Sequence, residues 1–330
     1  MNAERIRRCA TCAVLAGMAA STAEAQITSA AAGYPSKSIR IVVPYAPGGL
    51  ADLLCRAVGQ KLNEAWGQPV VIDNRPGAGT NLGNALVARS APDGYVLLAA
   101  GITNAINPSL YAKLDYDPIR DFAMITSVAK VPLIVAAHPS LPARGAKELV
   151  ALARARPQQL TFASAGNGSS GHLAGELFKS MTQAALTHIP YKGSAPALNN
   201  VMGGHVDTYF GAVVSVLPHV RSNRLRAIGM TSLKRTGAAP DLPTLDEQGI
   251  RGFDTTTWYA LAAPAGTPPA IVGKIQQEVA RIIGLPEVRE RFAAEGAEFV
   301  GSTPAEFTEF VKTEAAKWAR VVKVSGARID

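Results

Sequence analysis

The stretch IRIVVPYAPGGLADLL, residues 39–54, reads as a strand, a glycine turn and the start of a helix. Ile39, Ile41, Val42 and Val43 form a short apolar run, which Pro44, Pro47, Gly48 and Gly49 then break. From Leu54 onward, Val58, Leu62 and Trp66 recur every four residues, as one face of a helix does. A strand that enters a helix through glycines aims unpaired backbone N–H groups at whatever lies above the turn. The positive end of the helix dipole points the same way. Such a turn is suited to an anion.

The same alternation continues outward from this stretch. Residues 69–73 make a second strand, residues 74–80 a glycine loop, and a helix runs through Leu82, Leu86 and Val87 before a strand at 95–100. Strand, helix, strand, helix, strand implies a parallel sheet covered by helices on both faces. The pattern restarts with a strand at 133–137, a helix at 146–155, a strand at 160–164 and a helix through Leu173, Leu177 and Phe178. Further strands are expected at 188–191, 206–211 and 225–231, after which the chain passes an apolar run at 258–263. Helices close the chain, one through Ile271, Ile275, Val279 and Ile282. The last opens on Thr303-Pro-Ala-Glu306, a capping box that turns Phe307, Phe310, Val311 and Trp318 inward. The expected fold class is α/β, in two lobes. Residues 34–130 and 253–330 form the first lobe, completed by the C-terminal helices, and residues 131–252 form the second.

Length and composition agree with this reading. The chain has 330 residues, 48% of them hydrophobic, enough for one large core or two medium ones. Residues 1–25 are set apart as a signal peptide. Arg5, Arg7 and Arg8 precede an apolar run at 13–20, too short to span a bilayer, and Ala23 and Ala25 place cleavage between Ala25 and Gln26. The expected location of the mature protein is therefore the periplasm. Cys9 and Cys12 leave with the signal, so Cys55 remains alone as core filling, with no internal disulfide. The formal charge is +8, and the signal's three arginines and two glutamates reduce it to +7. That favours anionic partners, but the basic residues are scattered without aromatic interleaving, so nucleic acid is not expected.

Three glycine-rich loops could carry chemistry: residues 45–49, 74–79 and 164–169. All follow strands, so all lie at the carboxyl edge of a parallel sheet, where ligands bind. The first lacks the Gly-Lys-Ser/Thr ending of a phosphate-binding loop. The second spaces its glycines one residue too widely for a dinucleotide fingerprint. No G-x-S-x-G elbow is present, and His138, His172, His188, His205 and His219 show no metal spacing, so neither metal nor cofactor is expected. His172 begins a helix beside the serine loop. Asp115 and Asp117 read as capping residues.

The loops, in order, resemble the Bug family, periplasmic solute receptors of tripartite tricarboxylate transporters. The resemblance rests on Val-Pro-Tyr-Ala-Pro-Gly-Gly-x-x-Asp (43–52), Val-Ile-Asp-Asn-Arg-Pro-Gly-Ala-Gly (71–79) with Asn-Leu-Gly (81–83), and Ala-Pro-Asp-Gly-Tyr (91–95). It continues through Asn-Pro-Ser-Leu-Tyr (107–111), Ser-Ala-Gly-Asn-Gly-Ser-Ser-Gly-His (164–172), Pro-Tyr-Lys-Gly-Ser (190–194), Gly-Gly-His-Val-Asp (203–207) and Ala-Pro-Ala-Gly-Thr-Pro (263–268). It implies a Venus flytrap that closes on a small organic acid and hands it to membrane permease subunits, or to a membrane sensor. The resemblance also implies the ligand contacts, chiefly backbone and hydroxyl groups. On the first lobe these are Tyr45, Ala46, Pro47, Gly48 and Gly49; Asn81 and Thr103 are further first-lobe candidates from their loop positions. On the second they are Ser164, Gly166, Gly168 and Ser169, with Tyr191 and Asp207. A monomer is implied. Leu50 and Ala51 stand where many relatives carry small or hydroxyl residues, which favours the smaller mono- and dicarboxylates. The rival from another class is a secreted α/β hydrolase using Ser164 or Ser169, which needs a base such as His172 within about 2.6–3.2 Å.

Overall fold

The computed structural model describes residues 32–293 and 295–328; the signal-peptide reading lies outside the described residues. Strand β1 (Ile39–Val43) is buried except at Arg40, because helices cover both faces of its sheet. It pairs in parallel with β2 (Val70–Asn74) and β3 (Val96–Gly101). Helix α1 (Leu50–Trp66) buries Leu54, Val58 and Leu62, and Gly67, at a left-handed φ of 65°, ends it. Helix α2 (Asn81–Ala88) follows β2, and α3 (Ile102–Leu110) follows β3 directly.

Strand β4 (Phe122–Ala137) is three times the length expected and joins the two groups of strands. Residues 122–132 pair antiparallel with β9 (Thr256–Pro264), which continues to β3, while residues 133–137 pair with β7 (Thr208–Ala212) and β8 (Arg226–Met230). The first half escapes a hydrophobic reading because Thr126, Ser127 and Lys130 interrupt it. Thr126 Oγ1 donates to the Ser302 carbonyl and the Ser127 N–H donates to Ser302 Oγ, whereas the Ser127 hydroxyl is buried without a partner among the described residues. Short β10 (Glu298–Phe299) adds to the same half.

In the second group, α4 (Ala146–Ala155) and β5 (Leu160–Ser164) have the expected boundaries. Strand β5 lies parallel between β7 and β6 (Leu186–Pro190). Helices α5 (Ser170–Thr182), α6 (Ser194–Met202) and α7 (Val213–Arg221) each leave the carboxyl end of a strand. Prolines inside α3 and α7, Pro108 and Pro218, conceal both helices in the sequence. Helices α8 (Pro269–Ile283), α9 (Pro286–Ala293) and α10 (Pro304–Ser325) complete the chain. The Thr303 capping box forms as expected: Thr303 Oγ1 accepts from the Glu306 N–H, and Glu306 Oε2 accepts from the Thr303 N–H at 2.8 Å. Helix α10 buries Phe307, Val311 and Trp318 and packs on β4, α3 and α5, so it touches both groups of strands. The molecule is a two-lobed α/β fold in which each lobe has a mainly parallel sheet.

Candidate functional site

The carboxyl ends of β1, β2 and β3 and those of β5, β6 and β7 carry the glycine turns, and a cleft of about 450 Å³ lies between the two sets. Gly79, Thr103, Asn107 and Tyr111 line it from the first lobe, Asn167 and Gly168 from the second, and Arg328 from beyond α10. Its size is ordinary for a small-molecule site. None of these lining residues carries a carboxylate.

The first wall is a chain of hydroxyls. Thr80 Oγ1 donates to Thr103 Oγ1 at 2.9 Å, and the Thr103 and Tyr45 hydroxyls lie 3.2 Å apart. Each hydroxyl owns one hydrogen. Thr80 has spent its own on Thr103, and the Thr103–Tyr45 bond uses one of the remaining two. One O–H of the Thr103–Tyr45 pair is left to donate, whichever way that bond runs, and Thr103 is the member that lines the cleft. Burial pushes the Tyr45 hydroxyl up to about 12, so it keeps its proton at neutral pH. Tyr111 presents a second hydroxyl, also raised by burial, and a side chain at Gly79 would collide with it. Gly79 is left-handed at φ 61°, so the turn requires glycine on both counts. Asn107 donates to the Gly79 carbonyl at 2.8 Å and to Asn81 Oδ1 at 2.7 Å, which leaves its own Oδ1 as an acceptor.

The second wall is held from beneath by two histidines. Ser164 Oγ lies 2.6 Å from His188 Nε2 and also accepts from the Gly166 N–H at 3.1 Å. The Gly168 N–H donates to His172 Nδ1 at 3.1 Å, and the two imidazoles stack with centroids 4.0 Å apart. Burial first, then the neighbouring Lys179, lowers His172 to about 4; burial, His172 and Lys179 lower His188 to about 3. Both rings are therefore neutral at pH 7. Ser169 caps α5, its Oγ accepting from the His172 N–H.

The model of the tripartite tricarboxylate transporter family receptor matches residues 54–327. This chain belongs to that family. The receptor is 37% identical to protein BugT of Bordetella pertussis strain Tohama I, over 90% of this chain and 91% of that protein. Among solved structures, R. palustris Rpa4515 with adipate is 34% identical, with a TM-score of 0.77 over 89% of this chain and 98% of the other. MatC from Rhodopseudomonas palustris with bound malate is 30% identical, with a TM-score of 0.74 over 88% and 100%.

Of the expected contacts, Thr103 and Gly168 line the cleft; Tyr45 is bonded to Thr103 behind it, and Ser164, Gly166 and Ser169 form the turn that carries Gly168. The expected grip by turn amides differs from what is observed. The Gly48 N–H donates to Asp52 Oδ2 at 2.9 Å, Gly166 to Ser164, Gly168 to His172, and Ser169 to the Gly166 carbonyl at 3.2 Å. These four amides are spent within their own turns. Ala46, Pro47, Gly48 and Gly49 are exposed and do not line the cleft. Asn81 acts behind the wall, its Oδ1 accepting from Asn107 and from Tyr116 at 2.8 Å. The Tyr191 N–H donates to the Ser164 carbonyl, which sets Tyr191 beside the serine turn. Asp207 is corrected: its carboxylate accepts from the N–H and hydroxyl of Thr161, both at 2.8 Å, at the amino end of β5 and thus away from the cleft. Asp117 caps a turn by accepting from Ile119 and Arg120, whereas Asp115 is exposed beside Arg89. Cys55 is buried, its thiol pushed up to about 12 by burial and then by Asp52.

Sequence reasoning missed Asn107, Tyr111, Asn167, His188 and Arg328. The first three fall inside motifs that carry the family resemblance, and were findable there. His188 sits mid-strand and Arg328 near the chain end, with no local pattern to mark either.

Proposed function

We propose that the cleft between the lobes captures a small organic acid and that the receptor delivers it, unchanged, to membrane permease subunits. The observation that carries this is a wall of O–H and N–H donors, shared between the two lobes and without a lining carboxylate among the described residues. The relatives that hold adipate and malate support a carboxylate as the ligand. Recognition by a few hydroxyls and amides gives about micromolar affinity, near −8 kcal/mol, which suits release to a partner. The lobes divide as residues 34–130 with 253–330, and 131–252; the change of partners along β4 between Pro132 and Leu133 supports that division. The receptor works as a monomer in the periplasm after cleavage between Ala25 and Gln26, in keeping with its periplasmic relatives.

The cleft does no chemistry on its ligand. Ser164 is fully buried, and His188, the ring within reach of it, is stacked between Phe162 and His172 with no carboxylate behind it among the described residues. A ring lowered to about 3 is a poor general base at neutral pH. His172, the base that a hydrolase would need, is committed to the Gly168 N–H.

A thermal-shift panel of carboxylates and their amides tests the function. A ligand at 100 times its dissociation constant adds about 2.7 kcal/mol of stability. A carboxylate is expected to stabilise the protein and its amide is not. Equal shifts from both would overturn the reading.

A further inference from the structure

We propose that Arg328 reads the far end of the ligand, so that the cleft selects a dicarboxylate over a monocarboxylate of equal length. This rests on the carboxylate reading above and adds the residue that sets charge preference within it. Helix α10 runs across α3 and α5, the two helices that rise from the cleft edges. It stops at Gly326, whose left-handed φ of 68° turns the chain aside while its N–H donates to the Val322 carbonyl at 3.0 Å. The Ala327 N–H donates to Ser325 Oγ at 3.2 Å. That capped ending places Arg328 in the cleft wall.

Arg328 is the one charged residue among those lining the cleft. It is exposed, and among the described residues no hydrogen bond or ion pair occupies its side chain. The remaining polar lining groups are uncharged: the Thr103 and Tyr111 hydroxyls and the Asn107 and Asn167 amides. A ligand carboxylate held by the hydroxyl chain at Thr103 leaves the guanidinium unused. A second carboxylate within reach would meet a planar fork of N–H donors that fits it bidentately. Most surface arginines face water alone. This one shares a cleft with the donors that receive the first carboxylate, and among the described residues no acidic side chain lines the cleft to compete for it.

The test is calorimetric titration of the mature protein with succinate, glutarate and adipate and with the monoamide of each. The wild type is expected to favour at least one diacid over its monoamide by about tenfold, the scale of a charge-assisted hydrogen bond. Arg328→Gln is expected to bring that ratio below about threefold, and Arg328→Lys to retain part of it. An Arg328→Gln ratio equal to that of the wild type overturns the assignment and leaves the carboxylate reading standing. So does a wild type that binds monocarboxylates only. Failure of every carboxylate to bind removes both.

Discussion

At Gly48 the backbone N–H is taken by the carboxylate of Asp52; at Gly168 it is taken by the neutral ring of His172. The two turns have the same glycine-rich chemistry in sequence and opposite supports in structure. Asp52 is buried, held by Asn74 and by Arg56, both at 2.9 Å, and these contacts offset its desolvation and keep it below the ordinary aspartate range. It sits in the first turn of α1, so the positive helix end there already faces a negative charge. Helix α5 has no acidic residue in its first turn, and its supports are uncharged. The comparison teaches that a glycine turn is not by itself an anion seat. What matters is which groups the turn has left unspent.

The largest expected effect separates the turns by pH. Both histidines are lowered from an ordinary 6.5, so the unfolded chain binds protons that the folded chain refuses. Their contribution to stability is whole above pH 6.5, declines as pH falls below that value and is gone below about 4 and about 3, at up to about 1.4 kcal/mol per pH unit for each ring. Asp52 is lowered from 3.8, so its contribution persists at pH 5 and is lost only below the ordinary aspartate value. Urea denaturation at pH 7 and pH 5 should show the histidine loss, and His172→Gln should flatten it. An unchanged profile in that variant would contradict the assignment.

Next in size is Gly171→Ala. Its side chain would meet the Phe210 carbonyl, fixed in β7, and overpacking of this kind costs about 3 kcal/mol, read as a lower denaturation midpoint. Asp52→Asn should cost about 2 kcal/mol of stability without weakening acid binding; a collapse of affinity would make the first turn the seat after all. Thr103→Val removes the hydroxyl of the first wall that lines the cleft. It is expected to weaken acid binding about tenfold by calorimetry while the fold is retained. Smallest is Ser169→Ala, which removes the α5 cap and should cost about 1 kcal/mol.

Much of this architecture was legible in the sequence. The opening stretch, α4, β5 and the capped α10 were all readable, because apolar spacing and a capping box are local signals. Strand β4 was not, because the hydroxyl of its buried Thr126 and the backbone N–H of Ser127 find their partner in Ser302, far along the chain. The turns of the site were legible through their glycines, and Thr103 through its loop position. The fate of each amide was not, since it depends on Asp52 and His172 folding back on the turns. Asp207 was misplaced because a sequence motif does not say which edge of a sheet it occupies. Arg328 lies at the far end of the chain from the turns it faces, and its meaning comes only from the path of α10.

The most direct measurement is a crystal structure with a stabilising acid bound. The account predicts a carboxylate oxygen within about 3.2 Å of the Thr103 or Tyr45 hydroxyl, with Asn167 across the cleft. The same acid bound in the basic groove of Lys147, Arg154 and Arg251, with the cleft left to solvent, would contradict it.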